Sequence, residues 1–112
     1  MIWVDELLAC GAPWRGGVAC HMTSDDSVEE LISFASALGL PRAWLQDHKG
    51  TEHYDVSPRV RAKALRWGAQ ACTAREMVAH TQHRRDAQLE RAAAAVAELE
   101  ARARGHHGTS RR

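Results

Sequence analysis

Apolar residues in this chain come in short runs divided by turn-forming stretches as far as about residue 80, beyond which alanine and charged residues share one long tract. Ile2, Trp3 and Val4 form a first short strand that stops at Asp5. A loop bearing Gly11, Pro13, Gly16 and Gly17 follows, with turn chemistry throughout. Residues 18–22 read as a second strand that runs into Thr23, Ser24, Asp25 and Asp26. Ser27 then has the place of a helix cap, with Glu30 completing a capping box. Val28, Leu31, Ile32, Ala35 and Leu38 lie at the spacing of one buried helical face, and Gly39 and Pro41 supply the stop. Residues 43–46 predict a third strand, and the loop after it carries His48, Gly50, His53 and Tyr54. Ser57 and Pro58 open a second helix that runs to about Trp67. It turns Val60, Ala64, Leu65 and Trp67 to the core and Arg59, Lys63 and Arg66 to solvent. Residues 69–72 predict a fourth strand, and Thr73 with Glu76 forms another capping box before a helix reaching about Arg104.

Strand and helix alternate after the second strand, which predicts an α/β fold. The sheet is expected to be small and mostly parallel, with about four strands flanked by helices, and to be followed by a long C-terminal helix. The expected organisation is a compact α/β domain over residues 1–80, an extended helical tail over 81–104 and a disordered basic tail over 105–112. Leu89, Ala92, Val96, Leu99 and Ala103 make an apolar seam of alternating three- and four-residue spacing. Such a seam suits pairing with a second copy, a homo-oligomer, although alanine at half its positions fits a simply solvated helix as well.

A compact part of about 80 residues buries only about 60 to 65 per cent of its unfolded surface, so a partner or a bound metal would add needed stability. The formal net charge of +1 makes no general case for nucleic acid or membrane. Cys10, Cys20 and Cys72 are odd in number and form no C-x-x-C pair, which excludes a disulfide framework and a cysteine-only zinc site. The first residues lack the basic start and apolar core of a signal peptide. No run approaches the roughly 18 apolar residues of a membrane span, and a cytoplasmic protein is expected.

In an open parallel sheet, ligands bind outside the carboxyl ends of the strands. That rule brings Asp5, His21, Asp25, His53, Tyr54 and Asp55 to one edge. Each has a plainer role. Asp5 serves equally to cap a turn, and Asp25 or Asp26 to favour the start of the following helix. His53 and Asp55 serve to tie down a loop, and His21 to sit as a structural residue. Together, Asp5, His21, Asp25, His53 and Asp55 make a donor set of imidazole and carboxylate suited to a divalent metal, Zn, Mn or Fe. Arg61, beside the apolar stripe of its helix, would either clamp a phosphate or pair with Asp55. Phosphate-loop and nucleophile-elbow motifs are absent. Cys20 and His21, as strand neighbours, point to opposite faces and make a poor nucleophile pair. His106 and His107 lie too far into the tail for a native metal site.

The ordered series Val4-Asp5, His21-Met22-Thr23-Ser24-Asp25, Glu29-Glu30-Leu31, Arg42 to Gln46, His53-Tyr54-Asp55, Arg61-Ala62 and Gly68-Ala69 resembles the bacterial and phage family called domain of unknown function 4031. The resemblance covers residues 1 to about 79 and implies that Asp5, His21, Asp25, His53, Tyr54, Asp55 and Arg61 are the family's polar motif positions. It implies no mechanism. The loop at 10–17 and the long tail depart from the pattern.

These readings converge on a metal-dependent hydrolase of phosphoesterase or nuclease type, with Arg61 steadying a phosphate and Tyr54 orienting a ligand. The alternative is a non-catalytic module that binds a small-molecule or phosphate-containing ligand or assembles through its C-terminal helix. Nucleic-acid binding through Arg59, Lys63 and Arg66 is the weaker reading, since three charges on one helix face are ordinarily a solvated face.

Overall fold

A computed structural model describes residues 1–112 except 15, 49, 111 and 112, and leaves the side chains of 106–110 undescribed. The elements in order are β1 (Ile2–Val4), β2 (Leu8–Ala9), β3 (Val18–Ser24), α1 (Val28–Ala37), a 3₁₀ turn (Arg42–Trp44), β4 (Tyr54–Val56), α2 (Pro58–Arg66), β5 (Gln70–Ala71) and α3 (Ala74–Ser110).

The α/β class holds, but the sheet is mostly antiparallel. β3 pairs antiparallel with β1, β2 and β4, and only β1 and β5 run parallel. For β2 and β3 the reason is the 10–17 loop. Gly11 and Gly17 take positive φ angles of 70° and 60°, and the Cys10 N–H donates to the Gly17 carbonyl at 2.9 Å. This closes a hairpin, and so short a link cannot make the crossover of a dozen or more residues that parallel neighbours need. The strand expected at 43–46 is instead the 3₁₀ turn followed by a single bridge, Gln46 to His53, and the strand itself forms from Tyr54 to Val56 in the expected loop. Pro41, extended at φ −62° and ψ 142°, accepts from the Trp44 N–H at 3.0 Å and turns the chain before a ladder can form.

Register decides which residues share a face. Ile2, Val4, Cys20, Met22, Tyr54 and Val56 point to one side of the sheet and pack with Leu31 and Ala35 of α1 and Ala64 of α2. Residues 3, 5, 21, 23, 53 and 55 take the opposite side by the two-residue period of strands, and that side meets α3. Trp3 stacks on His80 with ring centroids 3.8 Å apart. Arg84, 0% exposed, spreads its guanidinium over Thr23 Oγ1 (2.5 Å) and the carbonyls of Ser24 (3.2 Å), Glu52 (3.1 Å) and Gly50 (3.2 Å). Farther along, Arg91 donates to the Asp26 carbonyl at 2.7 Å. The sheet therefore lies between α1 and α2 on one side and α3 on the other.

The caps form as their chemistry requires. Ser27, Ser57 and Thr73 accept from the N–H groups of Glu30, Val60 and Glu76. The Thr73 box is reciprocal, with Glu76 Oε1 accepting from Thr73 N–H at 2.8 Å. The Ser27 box is not: Glu30 turns to Ser24 and the Met1 amine, and Ser24 Oγ accepts from the Ser27 N–H. Trp67, expected in the core, is half exposed beneath the Lys63 ammonium, 4.8 Å from its ring centroid. α3 takes in the stretch from 105 to 110 where a disordered tail is expected; residues 111 and 112, and the side chains of His106 and His107, lie outside the described residues. Leu89, Val96 and Leu99 are exposed along α3. Among the described residues no helix is long and apolar enough to cross a membrane.

Candidate functional site

The site grows from one cross-strand row. The β3–β4 ladder sets His21 opposite Asp55. On the other flank of β3, the β1 register, Val4 opposite Met22, continued by one step sets Asp5 opposite His21, and the Asp5 N–H donates to the His21 carbonyl at 3.1 Å. Leu8 then pairs with Ala19, so residues 5–7 span what residues 20 and 21 span on β3. That one extra residue is a bulge, a device that breaks a ladder locally and re-aims side chains. His53 joins the row through the Gln46–His53 bridge, whose two N–H···O bonds of 2.9 and 3.0 Å close the 47–52 loop.

Each of the three groups that converge is held from behind. His21 Nδ1 lies 2.8 Å from Asp5 Oδ2, and Asp5 Oδ1 accepts from the His21 backbone N–H at 2.6 Å. His53 Nδ1 lies 2.7 Å from the Thr51 carbonyl, an acceptor that fixes the proton on Nδ1 and frees Nε2. The Gln46 amide donates to Asp55 Oδ2. The remaining atoms point inward: Asp55 Oδ1 is 3.5 Å from His53 Nε2 and 4.0 Å from His21 Nε2. All three donor atoms lie within 4.8 Å of one another. Two ligand atoms bound at about 2.1 Å to a tetrahedral ion sit roughly 3.4 Å apart, so a small contraction brings this set to bonding distance. A bound ion's imidazoles characteristically donate their other N–H to a carboxylate or carbonyl, as both rings do here.

A cleft of about 410 Å³ opens over this row, walled by α3 through Ala74, Met77, Val78 and Arg85. Asp5 is 1% exposed and forms its floor, whereas the His21 ring is 49% exposed. The Asp5 carboxylate raises the pKa of His21, with desolvation opposing and the charge of Asp55 assisting. The sign follows. In metal-free protein the charged His21–Asp5 pair adds stability in full below the ordinary value of 6.5. That stability is lost as pH rises through the raised value. Denaturation of metal-free protein across this window is expected to show the loss, and His21→Gln to abolish it. An unchanged pH dependence in the variant would show that the pair is not its source. Metal uptake runs the other way, because a proton on Nε2 competes with the ion, so affinity falls with pH.

The remaining expected site residues lie elsewhere. Asp25, at the far end of β3, accepts from the Trp3 indole at 2.9 Å and faces the Met1 amine at 3.2 Å. Burial pushes its pKa up, but those two partners outweigh it and the net shift is downward. Tyr54 alternates to the core face and is 1% exposed, and its hydroxyl has no hydrogen-bond partner among the described residues. Arg61 does not pair with Asp55. Its Nε donates to the Asp5 carbonyl at 2.8 Å, so it braces the bulge instead of facing the cleft. Cys20 and His21 do point apart, and burial pushes the Cys20 thiol up to about 12, which removes it as a nucleophile. Gln46, Thr51 and Arg85 were not expected. Gln46 ends the Arg42–Gln46 motif and was within reach of sequence reasoning. Arg85, one of two adjacent arginines on a long charged helix, carried no signal.

The family described as a protein of unknown function (DUF4031) matches residues 2–84. Comparison with curated proteins finds no match, nor does comparison with solved structures.

Proposed function

The chain belongs to the DUF4031 family, described only as being of unknown function, and from its site we propose that it is a metal-dependent hydrolase of phosphoesterase or nuclease type. One observation carries the reading: His21 Nε2, His53 Nε2 and Asp55 Oδ1 converge within 4.8 Å while Asp5, the Thr51 carbonyl and Gln46 anchor their outer atoms. A loop tied down for its own sake needs no such convergence of unshared donor atoms. Two imidazoles and a carboxylate suit Zn, Mn or Fe and leave coordination positions open, as catalytic sites require. A divalent ion held there supplies Lewis acidity and acidifies water toward neutrality. The protein's own groups do the rest. Asp5 orients His21 and favours its Nδ1–H form. Arg85, on the cleft wall, places a cation where an anionic substrate enters. Ala74, Met77 and Val78 give that flank of the cleft an apolar lining.

Elemental analysis of the untagged protein is expected to find one Zn, Mn or Fe per chain. Restoring metal to the stripped protein at a hundredfold excess over the dissociation constant should raise the melting temperature by about 10 °C. A chromogenic phosphodiester should then be hydrolysed only by the loaded form. Retention of no ion, together with no thermal response to Zn, Mn or Fe, would overturn the proposal and leave the cleft as a non-catalytic ligand site.

A further inference from the structure

Asp55 borders a space separate from the cleft that α3 walls. A cleft of about 560 Å³ runs from Asp55 and Gln46 between Trp14 and Trp44, and another of about 410 Å³ continues past the same two indoles to Arg59 and Lys63. The two share Trp14, Trp44 and Asp55, so they form one trough that begins at the candidate metal site and ends on α2. Trp44 is 52% exposed on the 3₁₀ turn. Trp14 is half-buried, its indole N–H donating to the Val18 carbonyl at 2.6 Å, which fixes the ring plane on the hairpin loop. An exposed indole such as Trp44 contributes little to a core, and with the half-buried Trp14 it gives the trough two indoles along its length.

Charge narrows the occupant. Over Pro58–Arg66, α2 carries Arg59, Arg61, Lys63 and Arg66 and no acidic residue, in a chain whose 15 basic and 14 acidic residues nearly cancel. Neither Arg59 nor Lys63 joins an ion pair among the described residues. The Lys63 ammonium lies over the face of Trp67. Aromatic faces that accept any base, beside cations that track a backbone, are the two parts of a single-strand site. An apolar peptide would leave these cations without a counter-charge.

We propose that the trough from Asp55 past Trp14 and Trp44 to Arg59 and Lys63 binds single-stranded nucleic acid, with bases stacked on the indoles and phosphates on the cations. The substrate of the site is then a single-stranded polynucleotide. The chemistry rests on the hydrolase reading; the binding does not, and is measured without metal.

Full-length protein stripped with chelator should raise the anisotropy of a labelled oligothymidylate of about a dozen nucleotides at protein concentrations of about 1–100 μM. Trp44→Ala, at an exposed position, should weaken binding about tenfold, the loss of one stacked base. Arg59→Glu/Lys63→Glu should weaken it further and flatten the dependence of log affinity on log salt by about 1.4, two contacts at roughly 0.7 each. A duplex of the same length, whose base faces are hidden, should bind more weakly. No binding overturns the proposal. So does binding that ignores Trp44→Ala or prefers the duplex, which would make α2 a general polyanion surface. Oligonucleotide binding by a protein that takes up no metal would sink the hydrolase reading and leave the trough standing. Metal uptake without oligonucleotide binding would do the reverse.

Discussion

The His21→Ala/His53→Ala protein is expected to bind no metal and to keep its fold. The two rings supply two of the three converging donors, and a lone carboxylate on an open sheet face holds a divalent ion poorly in water. Neither ring is part of the core, whose residues lie on the other side of the sheet. Removing the His21 ring takes a partner from the buried Asp5 carboxylate, so the double variant should lose about 1–3 kcal/mol and stay folded. Elemental analysis and circular dichroism of the same preparation separate the two effects, and a double variant that keeps stoichiometric metal would show that the ligands are other residues. Asp5→Asn makes the finer test. Asparagine still accepts from the His21 N–H but no longer offers a carboxylate to Nδ1, a change of the kind that typically weakens metal affinity about 10- to 100-fold. Unaltered affinity would remove Asp5 from the site and leave it as a brace of the bulge.

Arg84→Ala is expected to destabilise the molecule by about 3–5 kcal/mol, the cost of breaking a buried charged network by removing one member. The guanidinium is fully buried and is the shared donor for β3 and the 50–52 segment, with the Glu52 carboxylate 3.5 Å from Nη2. Its loss takes this donor from the Ser24 and Gly50 carbonyls and the Glu52 carboxylate, while the Glu52 carbonyl keeps the Thr23 hydroxyl at 2.8 Å. Domains of this size have about 5–15 kcal/mol in all, so a large share of the margin would go. Each kcal/mol lowers the melting temperature by about 4–8 °C in a domain of 60–100 residues. Arg84→Lys should recover little, because one ammonium cannot reach acceptors arrayed around a planar fork. Chemical denaturation gives the number directly, and a loss below about 1 kcal/mol would mean that water takes over the stranded carbonyls. The 50–52 segment carries the Thr51 carbonyl that orients His53, so in a folded Arg84 variant metal affinity should fall as well.

Helices and caps were legible because their causes are local. Ser27, Ser57 and Thr73 sit three residues from the N–H groups they accept, and Leu31 and Ala35 pack into the core from positions four apart. Strand pairing was not. Strands of two or three residues carry no direction, and the alternation with helices after the second strand suggested crossovers, whereas β3 and β4, on either side of α1, pair antiparallel. Residues 43–46 were apolar enough for a strand, yet only Gln46 joins a bridge. In the site, Asp5, His21, His53 and Asp55 do come together, though by antiparallel register across β3 and not at the ends of parallel strands. Asp25 and Tyr54 were grouped with them by closeness in sequence. The first lies toward the other end of β3, and the second alternates to the opposite face.

The amino-acid order by itself determined the helices, their first turns, the basic face of α2 and the residue types able to hold a metal, since each follows from neighbours within about one turn or from composition. Tertiary structure alone decided that His21, His53 and Asp55 meet, that Arg61 braces Asp5 instead of lining the cleft, and that Arg84 is buried while Arg85 borders it. The physical reason is register. Side chains in a strand repeat every two residues, so a slip of one between β3 and β4 would send His21 and Asp55 to opposite faces. What prevents that slip is packing between residues far apart in the chain, Val4 with Met22 and Tyr54, together with the Arg84 clamp over Thr23 and Glu52.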